Sequence, residues 1–322
     1  MESSILSAAM GFNLKCTKAK VFRDKFGYVC ATTEGPVRIQ RPDRRGRAPK
    51  DNNAVHTSNA TVLGILFQHE IKECLHQNGF TVDRFLISAQ NTPYFRIDDD
   101  IYTACFAQGG PNVNFTVGDV FLDVIAQVAK MHHVLFRSSI EASLPKKVKT
   151  GDEVTKSLAN LTSLRKKLLK AGKFSEFDML FLRSYEKLAA HIVSIEDEDT
   201  KHICHNLLKE ENIYIYDEKI ILTNFHEAAS KLHLYDLAYI IKRYVKAMPQ
   251  DIMPLRKILE TYIENCPDID FDEMLFRRIL LYPDKFIKVT GDYYSKKRSF
   301  APNTYLSRME ECLRMSETLE RL

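Results

Sequence analysis

The sequence predicts an α+β protein in two parts: a small β-rich lobe with one helix over residues 1–107, and a mostly helical lobe over 108–322. Three observations carry this. Short runs of β-branched and aromatic residues alternate through the first 110 positions. A connector-like stretch, "AQGGPN" at 107–112, then breaks the pattern, with a hinge expected at Gln108-Gly109-Gly110. From there apolar residues recur at three- and four-residue steps almost to the last residue.

The elements follow in order. "KAKVFRDKFGYVCATTEGPVRIQR" gives three short strands, broken at Gly27 and at Glu34-Gly35-Pro36. Residues 41–58 are rich in Pro, Gly and Asn and read as a solvated loop. A helical stripe through Val62, Leu63, Ile65, Leu66, Ile71 and Leu75 starts at Asn59 and stops at Asn78-Gly79. "DRFLIS", "PYFRI" and "IYTACFA" are three further strand-like runs, and one antiparallel sheet is expected within residues 15–106. Beyond the connector, Val120, Phe121, Val124, Ile125, Val128 and Ala129 mark an amphipathic helix that ends near His132-His133. Helical patterns return at 152–171, 175–195, 236–248, 252–265, 270–282 and 302–321, interrupted by two short strands at 213–216 and 219–224.

Composition narrows the class. With 45% hydrophobic and 27% charged residues and a net charge of +4, this is an ordinary globular chain. No apolar run reaches the ~18 residues that a membrane span needs, and the first residues lack the basic start and apolar core of an export signal. Between 41 and 50, Arg41, Arg44, Arg45, Arg47 and Lys50 against Asp43 give a local +4, which equals the whole excess. The remainder is balanced, so no nucleic-acid-binding face is expected. Arg44, Arg45 and Arg47 are instead the candidate contacts for an acidic partner, against the plain reading of a solvated loop. Seven cysteines at 16, 30, 74, 105, 204, 266 and 312 are scattered singly, as buried thiols in a reducing compartment would be. His202, Cys204 and His205 crowd together but supply at most three ligands with no partner pair at zinc spacing, so they read as a core thiol and loop histidines.

The chemistry-bearing stretch is "HICHNLLKEENIYIYDEKIILTNF", comprising a loop at 202–212 and a hairpin at 213–224. His205, Asn212 and the Asn224-Phe225 pair stand at the spacing of a phosphoryl-transfer site. With the small strand-rich part before it, this layout resembles the two-lobed protein-kinase-like fold of the aminoglycoside phosphotransferase type. More narrowly, the chain resembles the spore coat protein S (CotS) family of endospore-forming bacteria. The segments that carry the likeness are "HQNGFTVDRFLIS", "PYFRIDDDIYT", "AQVAKMHHV", "SEFDMLFLRSYEKLA", "ICHNLLKEENIYI", "LHLYDLAYIIKRYVK" and "LLYPDKFIKVTGDYYSKKRSF".

The resemblance implies a role for each position. Active relatives read H-G-D-x-x-x-x-N, with the Asp as base and the Asn holding Mg²⁺. Here His205 and Asn212 match, Asn206 stands for the Gly and Leu207 for the Asp. Asn224 replaces the metal-chelating Asp ahead of Phe225, so Asn212 and Asn224 are the candidate metal positions. Gln40 aligns with the phosphate-gripping Lys and Glu70 with that lysine's partner, the two candidate nucleotide contacts; Arg38 and Arg41 are expected on the strand's opposite face. Asp236 matches an Asp that opens a large helix and braces the loop, and equally reads as a helix N-terminal carboxylate.

Leucine has no lone pair, neutral amides are poor Mg²⁺ ligands beside phosphate, and glutamine cannot neutralise phosphate charge. Each such loss costs ~10²–10³ in rate. Two functions of different class follow. One is a non-catalytic pseudokinase, a scaffolding component of the spore coat made in the mother-cell cytoplasm, with no cofactor and with coat or morphogenetic proteins as partners. The other is an active ATP- and Mg²⁺-dependent kinase whose acid is displaced to Glu210, Glu211 or Glu227.

Overall fold

The computed structural model describes residues 2–14, 22–23, 28–32, 35–42, 54–107, 110–116, 119–140, 151–193, 202–248, 252–296 and 302–322. Gln108 and Gly109 of the expected hinge lie outside these residues, as do Arg44, Arg45, Arg47 and Lys50 of the basic run. The chain divides into two compact units. The first comprises Met1–Val113, Val134–Pro145 and His205–Ala229; the second comprises Asn114–His133, Lys146–Cys204 and Ser230–Leu322.

The first unit opens with α1 (Glu2–Gly11), then β1 (Phe22–Arg23), β2 (Tyr28–Thr32), β3 (Gly35–Gln40), α2 (Ala54–Gln77), β4 (Phe95–Ile97) and β5 (Asp100–Phe106). The strands form one antiparallel sheet in the order β1-β2-β3-β5-β4, as expected. Alternation assigns its two faces. Val37, Ile39, Tyr102 and Ala104 pack with Ile5, Ala8, Ala9 and Phe12 of the α1 region. Ile101 points the other way and packs with Ile65 of α2 and with Phe85.

Two differences from expectation have local causes. α1 was not foreseen; small residues at 8 and 9 give it little apolar contrast, yet they let the helix lie close against the sheet, and at Gly11 an added Cβ would sit 2.3 Å from the Phe95 ring. α2 begins at Ala54, five residues before the expected Asn59. "DRFLIS" is extended but contributes only an isolated bridge, Phe85 to Cys105, and the Leu86 amide bond to Ala104.

α3 (Val120–Phe136), α4 (Gly151–Ala171), α5 (Glu176–Ala189) and β6 (Ile203–Cys204) follow, mostly in the second unit. The chain then returns to the first unit as a hairpin of β7 (Ile213–Tyr216) and β8 (Lys219–Leu222). Its two-residue turn holds Asp217 at φ 51° and Glu218 at φ 59°, the double left-handed geometry that matches strand twist. Residues 111–113 extend this hairpin: Val113 donates to Ile213 at 2.9 Å and Ile215 to Pro111 at 3.0 Å.

β9 (Ala229–Ser230) leads to α6 (Leu234–Ala247), α7 (Leu255–Glu264), α8 (Glu273–Leu281), α9 (Asp284–Lys296) and α10 (Pro302–Arg321). In the second unit an aromatic core ties α5 to α9. Phe177 stacks on Tyr293 with ring centres 3.8 Å apart, and Phe181 stacks on Phe286 at 5.8 Å. α9 was not predicted, because Thr290 and Gly291 interrupt its apolar pattern. α5 starts with a capping box between Ser175 and Asp178, a strong local start signal. No helix among the described residues is long and apolar enough to cross a membrane. Of the seven cysteines, six are described; all six are free thiols, and all but Cys74 are buried.

Gly110 has φ 98°, and a Cβ there would meet the Ile215 carbonyl oxygen at 2.4 Å. Gly110→Ala is therefore expected to cost about 1–3 kcal/mol in denaturant unfolding through backbone strain at this joint. An unchanged unfolding midpoint would contradict it.

Candidate active site

His205 is fully buried at the start of the loop that follows β6. Its Nδ1 accepts the Leu207 amide at 3.2 Å, so Nε2 carries the hydrogen and donates to the Thr223 carbonyl at 2.9 Å. The imidazole also packs against Phe225, ring centres 4.5 Å apart. His205 thus fastens the loop to the end of the hairpin and is fully occupied in doing so.

Asn206 and Asn224 both have left-handed backbones, φ 61° and 67°. Asparagine is among the few non-glycine residues that tolerate this region, which accounts for an Asn at the position where the resemblance expects Gly. The Asn206 amide further donates to the Glu227 carbonyl at 2.9 Å.

The two candidate metal positions do come together. Asn212 is buried, its Nδ2 donating to the Leu207 carbonyl at 2.8 Å, while its Oδ1 accepts from Asn224 Nδ2 at 3.0 Å. Asn224 Oδ1 meets His226 Nδ1 at 2.6 Å. A carboxylate at 224 would face the Asn212 oxygen with two acceptors and no donor, an arrangement that a cation resolves. Two amides resolve it themselves, donor to acceptor. The oxygens left for a metal are neutral and already hydrogen-bonded, whereas Mg²⁺ prefers at least one carboxylate beside phosphate. The pair does not fit Mg²⁺.

The three candidate displaced acids lie around this pair. Glu210 and Glu211 begin a single 3₁₀ turn, Glu210–Asn212, and Glu211 forms an ion pair with Lys209. Glu227 Oε1 is 3.7 Å from His226 Nε2. Leu207 offers only its backbone, with its amide and carbonyl both bonded.

On the sheet, Gln40 ends β3 opposite Thr103, and Arg38 stands opposite Cys105. Arg38 is two residues from Gln40 and so shares its face, contrary to expectation; period two requires this. Arg41 does diverge and pairs with Asp100. Glu70 is exposed on α2.

Among the described side chains of α2 the buried polar residue is Lys72, which the sequence pattern did not single out. It is 1% exposed, donates to the Asp83 carbonyl at 2.9 Å and lies 3.3 Å from the Asp83 carboxylate. Its ammonium also sits 3.8 Å over the Phe85 ring. The other Asp83 oxygen accepts the Asn224 amide at 3.3 Å. A signal existed: Lys72 lies seven residues after Ile65 and beside Ile71, on the helix's apolar stripe. In the second unit, buried Asp236 meets His132 Nε2 at 3.2 Å, and His132 Nδ1 meets the Tyr262 hydroxyl at 2.7 Å. Burial pushes the Tyr262 phenol well above its usual range, so it stays protonated.

Lys72→Met is expected to cost about 3–5 kcal/mol, because it leaves the Asp83 carboxylate buried without its cation. Lys72→Met combined with Asp83→Asn should lose clearly less than the two single variants together, as read by a double-mutant cycle in urea. Additive losses would show that the pair is not coupled.

No protein-family model matches the chain, and no curated protein matches it. Solved structures do. An aminoglycoside phosphotransferase from Alicyclobacillus acidocaldarius subsp. acidocaldarius DSM 446 matches with a TM-score of 0.71 at 16% identity, covering 98% of this chain and 93% of that one. The amicoumacin kinase hAmiN, in complex with AMP-PNP, Ca²⁺ and Ami, matches at 0.58 and 14%, covering 100% and 93%. The AMP-bound spectinomycin phosphotransferase APH(9)-Ia matches at 0.60 and 14%, covering 99% and 98%. The chain therefore has the protein-kinase-like fold of the aminoglycoside phosphotransferase type, with a small antiparallel-sheet lobe and a larger helical part. At these identities the likeness speaks for fold alone.

Proposed function

We propose that this protein is a pseudokinase: a kinase-like scaffold without phosphoryl-transfer chemistry, acting through its surfaces as a component of the spore coat. The observation that carries the loss of chemistry is the Asn212–Asn224 amide pair beside Leu207. Phosphoryl transfer is positioning plus electrostatic stabilisation of charged oxygens. Here the position of the base holds a hydrocarbon, the two metal positions satisfy one another, and Gln40 stands for the lysine. The coat role rests on the seven-segment resemblance to the CotS family, which also points to synthesis in the mother-cell cytoplasm and to coat or morphogenetic proteins as partners. In this reading Arg44, Arg45 and Arg47 are the candidate docking residues for an acidic partner, and Asp236 is structural.

A second reading, an ATP-dependent kinase of a small molecule or protein, draws support from the kinases of like fold, one of them in complex with AMP-PNP and Ca²⁺. The acids Glu210, Glu211 and Glu227 in the loop region favour it. It requires one of those acids to reach the reacting oxygen from a different backbone position, where a misplacement of about 1 Å costs ~10²-fold.

Thermal unfolding with millimolar ATP, with and without Mg²⁺, separates the two readings. The pseudokinase reading expects no Mg²⁺-dependent shift. A ligand at 100 times its Kd adds about 2.7 kcal/mol of stability, and a Mg²⁺-dependent rise of that order would favour the kinase.

A further inference from the structure

The second unit buries a set of metal-ligating side chains that the degenerate loop does not use. α3 brings His132, β6 brings Cys204 and the first turn of α6 brings Asp236, each 2% exposed or less. One ligand atom from each lies within 4.8 Å of the other two. His233, also buried, stands edge-on to His132 with ring centres 6.1 Å apart.

The two imidazoles are oriented alike. His132 Nδ1 is held by the Tyr262 hydroxyl at 2.7 Å, and His233 Nδ1 by His202 Nδ1 at 3.2 Å. Each ring keeps Nε2 as its remaining nitrogen. On His132 that nitrogen faces Asp236 at 3.2 Å. On His233 it is buried with no hydrogen-bond partner among the described residues. Histidines that bind metals show this arrangement, with an outer partner on one nitrogen fixing the ring for coordination through the other. The Tyr262–His132–Asp236 chain is complete as a hydrogen-bonded brace, but it leaves the His233 nitrogen unexplained.

We propose that His132, Cys204 and Asp236, with His233 as fourth donor, form a structural zinc site. One thiolate and one carboxylate balance the charge of Zn²⁺, which suits a dry interior, and mixed S, N and O donors suit this borderline-soft ion. Ligand atoms at ~2.0–2.3 Å from a tetrahedral zinc lie ~3.3–3.8 Å apart, so the His132, Cys204 and Asp236 ligand atoms, within 4.8 Å of one another, close by at most about 1.5 Å. On binding, the Cys204 thiol, which now donates to the Lys231 carbonyl at 3.4 Å, releases its proton to solvent. His132 moves its hydrogen to Nδ1 and donates it to Tyr262.

The test uses the untagged full chain, given zinc and then desalted, with metal content and zinc-edge X-ray absorption as readouts. The expected result is about one zinc per chain, with a sulfur neighbour at ~2.3 Å and N/O neighbours at ~2.0–2.1 Å. Cys204→Ser should lose the sulfur signal and retain zinc at least ten-fold less well, while Cys266→Ser should match the wild type. No retained zinc, a coordination shell without sulfur, or unchanged behaviour of Cys204→Ser would overturn the proposal. If Cys204→Ser fails to fold, the wild-type spectrum and the Cys266→Ser control decide it.

Discussion

The ion pair between Lys72 and Asp83 is the point at which helix, sheet edge and loop of the first unit meet. Lys72 comes from α2; the segment that carries Asp83 bridges β8 at Val82 and β5 at Phe85; and the Asp83 carboxylate holds the Asn224 amide. An unpaired ammonium in that interior would be costly, so the carboxylate must stay beside it. That constraint fixes the Asn224 backbone, which sits left-handed at the end of the hairpin. Asn224 then places its amide against Asn212, and His205 ties the same hairpin end to the loop. The geometry of this loop and hairpin end is thereby held by internal hydrogen bonds and one internal cation.

On the proposed pseudokinase reading, this is how such a site keeps its shape without phosphoryl-transfer chemistry. In a metal-dependent enzyme, opposed oxygens need an external cation. Here an amide faces an amide, and the unfavourable contact is absent. The loop's hydrogen bonds are therefore satisfied within it, Leu207 contributing its backbone amide and carbonyl.

Much of the architecture was legible because it is written in local pattern. The two-residue Asp217-Glu218 turn, the Ser175–Asp178 cap and the apolar stripes of α3, α5 and α6 are short-range signals. α1 and α9 escaped because Ala8-Ala9 and Thr290-Gly291 weaken contrast where the packing is made by close approach instead. The candidate site was legible in the positions of His205, Leu207, Asn212 and Asn224, whose spacing is fixed by one loop and one hairpin. Lys72 and Asp83 were not, since their pairing depends on tertiary placement of a lysine inside an apolar stripe. Arg38 is a different case: its face follows from period two, and the register places it beside Gln40.

The most direct test is the initial rate of Mg²⁺-dependent ATP turnover by the wild-type protein, followed as phosphate or ADP release. The account predicts a rate indistinguishable from that of buffer, because Leu207 and Asn224 stand at the positions of the base and of the metal-chelating acid. Turnover in the ordinary kinase range of about 1–100 per second, lost in a Glu210, Glu211 or Glu227 to Gln variant, would contradict it.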